Sequence, residues 1–322
     1  MKESIEKIIN QSNELKKEIK KIIVGQENLI DDIVLAIVCQ GNVLLEGNPG
    51  LGKTQLVKTL GEIMDLNFSR IQFTPDLMPS DIVGTDIVIT SKNGETSFEF
   101  HKGPIFSNIV LADEINRATP KTQSALLEAM QEKSVTVGKQ TYVLKEPFFV
   151  LATQNPIDME GTYTLPEAQL DRFLFKLDVK FPSKEELKEI VKRTTISKNI
   201  SLNKFDGESF VQKAKKLSES ILISDEVLNY AMNIIVGTHP ENNIEEIKNY
   251  VVCGSSPRGA QALINTAKVK ALLDGRYNVS FDDLRDIAPK VLRHRMILNY
   301  EAMHENMDAD KLVQIILDKV KE

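Results

Sequence analysis

Cysteine and histidine are scarce in this sequence, and neither is spaced for metal chemistry. Cys39 and Cys253 make no metal-ligand spacing and no disulfide framework. His101, His239, His294 and His304 are scattered and show no ligand pattern. No run approaches the roughly 18 uninterrupted apolar residues of a membrane-spanning helix. The first stretch, "MKESIEKIINQSNELKKEIKK", lacks the apolar core of a signal peptide and alternates charge as a solvated amphipathic helix does. A basic excess is also missing: the net charge is −6, so no global field recruits nucleic acid. No internal repeat or low-complexity tract interrupts the chain. What remains is an ordinary globular composition, 42% hydrophobic and 27% charged over 322 residues, expected in the cytoplasm.

Hydrophobic patterning divides the chain near residue 181. "NVLLEG", "NIVLADE" (108–114), "FFVLATQNP" (148–156) and "FLFKLDV" (173–179) are short apolar runs of buried-strand type. Between them lie helical segments, "KTQLVKTLGEIM" and "TPKTQSALLEAMQE" (119–132). Strands alternating with helices indicate an α/β fold, a largely parallel sheet with helices on both faces. Two β-hairpins are expected as inserts: 81–106, around Asn93-Gly94, and 134–147, around Gly138. From Ser183, which with Glu186 makes a capping-box pattern, only helices are expected: 184–198, 206–220, 225–237, 257–274, 281–297 and 310–321. The domains are therefore expected to be an α/β unit over 1–181 and a smaller all-α unit over 182–322.

"GNPGLGKT" (47–54) fits G-x-x-x-x-G-K-[ST] between a strand and a helix, the context in which that pattern cradles phosphates. Glycines let backbone N–H groups curl around the anion, and the helix N-terminus adds a favourable dipole. Lys53 can reach the β- and γ-phosphates, and the Thr54 hydroxyl can ligate Mg²⁺. The binding set is thus Gly47, Asn48, Pro49, Gly50, Leu51, Gly52, Lys53, Thr54 and Gln55. Asp113 and Glu114 end a buried strand, on the side where open α/β sheets bind ligands. Asp113 is suited to hold the magnesium and Glu114 to orient an attacking water. The guanine-reading Asn-Lys-x-Asp run is absent, which disfavours GTP.

These residues resemble the AAA+ ATPases, and more narrowly the MoxR family. The resemblance is carried by "VGQE" (24–27), "GNPGLGKT" (47–54), "GPIFSNIVLADEINRATPKTQSALLEAMQE" (103–132), "LATQNPIDMEGTYTLPEAQLDRF" (151–173) and "SPRG" (256–259). It implies a P-loop ATPase domain with a helical lid, using ATP and Mg and assembling as a ring, usually a hexamer. It also implies that Val24, Gly25 and Gln26 sit by the adenine. Asn155 is then the polar sensor between the carboxylates and the γ-phosphate, and Arg258 a second sensor, acting in its own subunit or on a neighbour's nucleotide. Arg258 also stands at the second position of a helix, against its local charge preference, as a nearby phosphate would explain. The activity implied is chaperone-like remodelling or maturation of a client or adaptor protein, von Willebrand A-domain proteins among them. A nucleotide-gated switch with little turnover and a DNA-remodelling machine are the alternatives. The acidic net charge and the modest basicity of both hairpins argue against the second of these.

One charge is left over. Arg172, in "TLPEAQLDRFLF", precedes a buried strand at the end where nucleotides are expected, and burying a charge is costly unless it is paired. Either Asp171 holds it, or it is the arginine finger that the resemblance implies, reaching the next subunit's γ-phosphate. Arg117 is open in the same way, between a subunit contact and an exposed helix face.

Overall fold

A computed structural model describes residues 2–90, 96–155, 161–195 and 200–321. In chain order the strands are β1 (Val43–Glu46), β2 (Phe68–Gln72), β3 (Gly84–Thr90), β4 (Thr96–Lys102), β5 (Ile109–Asp113), β6 (Ser134–Val137), β7 (Gln140–Val143), β8 (Phe149–Gln154) and β9 (Phe175–Asp178). Five of them form one parallel sheet in the order β2-β5-β8-β1-β9. The parallel α/β expectation is met, with β2 as an unexpected edge strand. "FSRIQ" escaped the apolar-run criterion because an edge strand needs few apolar residues, and only Ile71 is buried.

Side chains alternate across the sheet with period two. Val43, Leu45, Leu111, Leu151, Phe175 and Leu177 enter one core cluster. Leu44, Val110, Ala112, Val150 and Ala152 enter the other. Each fully buried Val, Leu or Ile contributes about 1.5–3 kcal/mol, so both faces must be covered. The first face is covered by α1 (Lys2–Ile22), α2 (Glu27–Val38) and α3 (Lys53–Ile63). The second is covered by α4 (Pro79–Val83), α5 (Pro120–Glu132) and the lead-in to α6 (Glu167–Leu170). Helix α1 buries Ile5, Ile8, Leu15 and Ile19, a stripe at helical spacing.

Beyond β9 come α7 (Lys184–Thr195), α8 (Gly207–Glu219), α9 (Asp225–Gly237), α10 (Glu245–Tyr250), α11 (Pro257–Leu273) and α12 (Phe281–Leu292). Their core is continuous with the first face of the sheet: Phe210, Ile234, Leu263 and Leu292 belong to the same cluster as Val43. Ser256-Pro257 and Ser280 start helices as expected, the latter through a capping box with Asp283. Two expectations are corrected. Helix α12 ends at Leu292, not 297, because the chain turns there to aim Arg293, His294 and Arg295 at the sheet. Val251–Cys253 and Ile297–Leu298 form a small antiparallel pair in what was expected to be all helix.

Both inserts are hairpins, β3 with β4 and β6 with β7. The Asn93-Gly94 turn lies outside the described residues. The two hairpins lean together, with Phe100 stacked on Tyr142 at 4.2 Å between ring centroids. No helix among the described residues is long and apolar enough to cross a membrane.

The start of α12 makes a stability test. The Asp283 side chain, 2% exposed, accepts bonds from Arg276 Nη1 at 2.7 Å and from the Ser280 N–H at 2.8 Å. Burial alone would raise its pKa, but Arg276 and Ser280 outweigh burial and hold it below the ordinary carboxylate value. A depressed folded pKa gives stability that is present above the unfolded value near 3.9 and lost as pH falls through the folded one. Asp283→Asn should therefore cost about 2–3 kcal/mol at neutral pH, Arg276 being partly solvated. In melts run down the pH scale, the gap from wild type should close below about pH 4. A gap constant down to pH 3 would contradict the pairing.

Candidate active site

Strand order places the crevice. The chain leaves β1 for the β2 side of the sheet and leaves β8 for β9, so the connections diverge at the carboxyl ends of β1 and β8, where open α/β sheets bind ligands. The Gly47 N–H donates to the Gln154 carbonyl there, at 3.3 Å.

Residues 47–52 turn from β1 into α3. Gly50 and Gly52 have φ of 82° and 79°, and a Cβ at either would meet nothing within 4 Å. Backbone conformation, not packing, is what requires glycine at these two positions. The Lys53 ammonium folds back on the loop and donates to the Gly47 carbonyl at 2.7 Å. Burial lowers its pKa, while the charges of Asp113 and Glu114 oppose that. Asn48 and Pro49 are exposed, Leu51 rests against the core, and Thr54 follows Lys53 in the first turn of α3. Gln55 bonds along the helix to Thr59 at 3.4 Å.

Thr153 joins the two acids across the sheet. Its buried hydroxyl donates to Asp113 Oδ1 at 2.7 Å and accepts from the Glu114 N–H at 2.8 Å. Glu114 itself is left-handed, at φ 58°, a strain of about 1–3 kcal/mol that the Thr153 bond helps to hold. The Glu114 carboxylate accepts from Gln72 Nε2 at 2.8 Å and Arg117 Nη1 at 3.4 Å. Asp113 Oδ2 accepts from Arg70 Nε at 3.1 Å and Nη2 at 2.7 Å. Arg117 thus contacts Glu114 within its own chain. Arg70, Gln72 and Thr153 were missed by sequence reasoning. The available signal was the alternation in "RIQF", which puts Arg70 and Gln72 on one face beside Asp113 once β2 is a strand.

Asn155 is buried just past β8, its carbonyl accepting from Asn116 Nδ2 at 3.5 Å. Gly25 and Gln26 are both left-handed, at φ 68° and 55°, and half-buried Val24 precedes them. Gln26 lines a cleft of about 620 Å³ with Leu29, Leu177, Phe181, Pro182 and Arg293. The Glu186 carboxylate lies on Gly25, where an added Cβ would sit 1.8 Å from Oε1. No group of three or more His, Cys, Asp or Glu among the described residues makes a metal cage. Thr54 and Asp113 instead offer two hard oxygen donors beside a phosphate loop. That set suits magnesium, which keeps waters and shares phosphate oxygens.

Arg172 and Arg258 lie elsewhere. The Leu174 N–H donates to the Asn42 carbonyl, and Val179 N–H to Glu46, so β9 begins at the far edge and ends beside Gly47. The expectation that Arg172 flanks the nucleotide end of the sheet is therefore corrected: its segment enters β9 at the opposite edge. Asp171 does not pair with it either. Its carboxylate binds Arg295 Nε at 2.9 Å, Ser256 Oγ at 3.0 Å and Arg258 Nη1 at 3.7 Å. Arg172 Nε is buried with no hydrogen-bond partner among the described residues.

Known proteins extend this geometry. Residues 42–175 match the model of the ATPase family associated with various cellular activities (AAA), and residues 245–316 match the AAA lid domain. The chain is 40% identical over 305 residues to Chaperone MoxR1 of Mycobacterium tuberculosis, covering 94% of this chain and 80% of that one. It is 43% identical over 308 residues to the uncharacterized protein YeaC of Bacillus subtilis, covering 95% and 92%. A crystal structure from Cytophaga hutchinsonii superposes with a TM-score of 0.92 at 42% identity, over 99% of this chain and 97% of that one.

Thr153→Val removes the hydroxyl and keeps the shape. The unpaired Glu114 N–H should cost about 1–3 kcal/mol, read as a roughly 10- to 100-fold loss of turnover at unchanged nucleotide affinity. A variant with parental turnover would show that Thr153 does not set the geometry of the acids.

Proposed function

Since the chain belongs to the MoxR family of AAA+ ATPases, we propose that it hydrolyses Mg-ATP at subunit interfaces of a ring, usually a hexamer in this family. Turnover is coupled to chaperone-like remodelling or maturation of a client or adaptor protein. The observation that carries the reading is the separation of Arg172 and Arg258 from the chain's own phosphate loop. The four residues of β1, about 13 Å of strand, lie between the two edges. Both arginines are therefore offered to a neighbour's nucleotide, and a single chain holds only part of the site.

Within one site the roles divide by chemistry. The N–H groups of Gly47–Gly52 and the Lys53 ammonium bind the β- and γ-phosphates. Thr54 and Asp113 hold magnesium, which when bound neutralises charge on the phosphate oxygens. Glu114 orients the attacking water and accepts its proton, while Asn155 stands between the acids and the γ-phosphate. Gln72 and Arg117 both bond the oxygen Oε2, so they fix the Glu114 carboxylate and leave that step to Oε1. Arg172 and Arg258 of the adjacent subunit balance the charge that builds on the transferred group.

A protein client is favoured over nucleic acid by the outer hairpin. Val88 is 59% and Phe98 75% exposed, apolar surface rather than a basic track. A von Willebrand A-domain partner is the client type that family membership suggests.

Three measurements test the proposal. Steady-state ATPase should be present and insensitive to single-stranded DNA; absence of turnover leaves only a switch, and strong stimulation by DNA favours DNA remodelling. Glu114→Gln should keep nucleotide binding and lose about 10²–10⁴ in kcat, the range of a general base. Arg172→Ala should lose about 10³–10⁵ and regain part of it when mixed with Lys53→Ala subunits, which still carry the arginine. Failure of that mixture to regain activity removes the shared-site assignment.

A further inference from the structure

Arg295 is the most deeply placed arginine near the shared-site segment, with a side chain 3% exposed. Its guanidinium holds both flanks of Arg172. Nη2 donates to the Phe173 carbonyl at 2.7 Å and the Asp171 carbonyl at 3.3 Å, and Nη1 to the Leu174 carbonyl at 3.2 Å. Nη1 also reaches the Val291 carbonyl in the last turn of α12. Nε bonds the Asp171 carboxylate at 2.9 Å. The neighbouring His294 directs Nε2 at the same Phe173 carbonyl, at 3.0 Å.

Such a fork does something a lysine cannot. Its donors are rigid and coplanar, so the backbone carbonyls of Asp171, Phe173 and Leu174 are set relative to one another. The residue between the clamped carbonyls of 171 and 173 is Arg172, whose own Nε finds no partner among the described residues. The other oxygen of Asp171 extends the arrangement to the lid. It accepts from Ser256 Oγ, the cap of α11, and lies 3.7 Å from Arg258 Nη1. Arg258 is half exposed, and at that distance the pair is loose, so its guanidinium is free to move to a phosphate while Asp171 keeps Arg295.

We propose that Arg295 and Asp171 are positioning residues, a buried junction that sets Arg172 and Arg258 as one unit facing the neighbouring subunit's nucleotide. The proposal rests on the reading that these two arginines act in trans. Neither junction residue touches nucleotide, and both act through the arginines they hold. Burial and the neighbouring Arg258 lower the Arg295 pKa, an effect that the Asp171 charge opposes.

The test uses Arg295→Lys, which keeps the charge and loses the fork, and Asp171→Asn, which keeps the shape and loses the charge. Asp171→Asn is the milder of the two and guards against a folding defect in the first. Each full-length variant alone should lose at least tenfold in kcat. Each should bind mant-ADP with wild-type affinity, because its own phosphate loop is untouched. Mixed with Lys53→Ala subunits, each should regain activity, since the intact arginines of those subunits serve the variant's sites. Mixed with Arg172→Ala subunits, neither should regain any.

Wild-type turnover by both variants overturns the junction. So does a loss that Lys53→Ala subunits cannot repair when they do repair Arg172→Ala, for that pattern marks a defect in folding or in the variant's own site. If Arg172→Ala itself is not repaired, the trans reading fails and the junction falls with it.

Discussion

A parallel strand has two ends that cannot be exchanged, and this constraint organises the molecule. The chain leaves β1 at Gly47 and enters β9 at Leu174, on opposite edges of one sheet. Anything built at the carboxyl edge meets the phosphate loop; anything built at the amino edge cannot. The loop, both acids and Asn155 occupy the first edge, while Arg172 and Arg258 occupy the second. No rotamer change bridges a strand length of about 13 Å and the turns on either side of it. On the proposed function, sharing a site between chains follows from this topology, and the arginines need only be aimed.

At the carboxyl edge the difficulty is placing two adjacent carboxylates near each other. Lys53 alone does not balance them, since burial works against its own charge. The edge strand β2 supplies the rest: Arg70 forks onto Asp113, Gln72 donates to Glu114, and Thr153 stands between the two residues. Every oxygen that these bonds engage is one that magnesium or water also seeks.

The phosphate loop, both acids and the α/β class were legible because each depends on a local pattern. Glycines at fixed intervals, a lysine at a helix start and acids closing an apolar run survive without knowledge of tertiary contacts. Strand β2 was illegible for the opposite reason: an edge strand with a single buried residue, Ile71, has no run to notice, and Arg70 and Gln72 went with it. The Asp171 partner was equally hidden. Adjacent opposite charges invite a local pairing, yet Asp171 bonds Arg295, which lies 124 positions away. Nothing in the spacing of residues 171 and 295 announces that contact, because it arises only when α12 stops at Leu292 and turns toward β9.

The shared core explains why a lid residue can position a residue of the sheet. Leu292 and Val291 pack in the same cluster as Phe175 and Leu177, so the end of α12 and the start of β9 share one packed core. A lid attached only by a linker would let Arg295 drift by several ångströms, and a fork bonded to three carbonyls tolerates only a fraction of that. Rigid packing at this seam therefore carries a functional demand beyond stability. It links the start of α11 and the end of α12 to Arg172 and Arg258, at the edge of the sheet away from the phosphate loop. If the two arginines act in trans as proposed, nucleotide binding and trans activation are mechanically separate within one subunit and meet only across an interface.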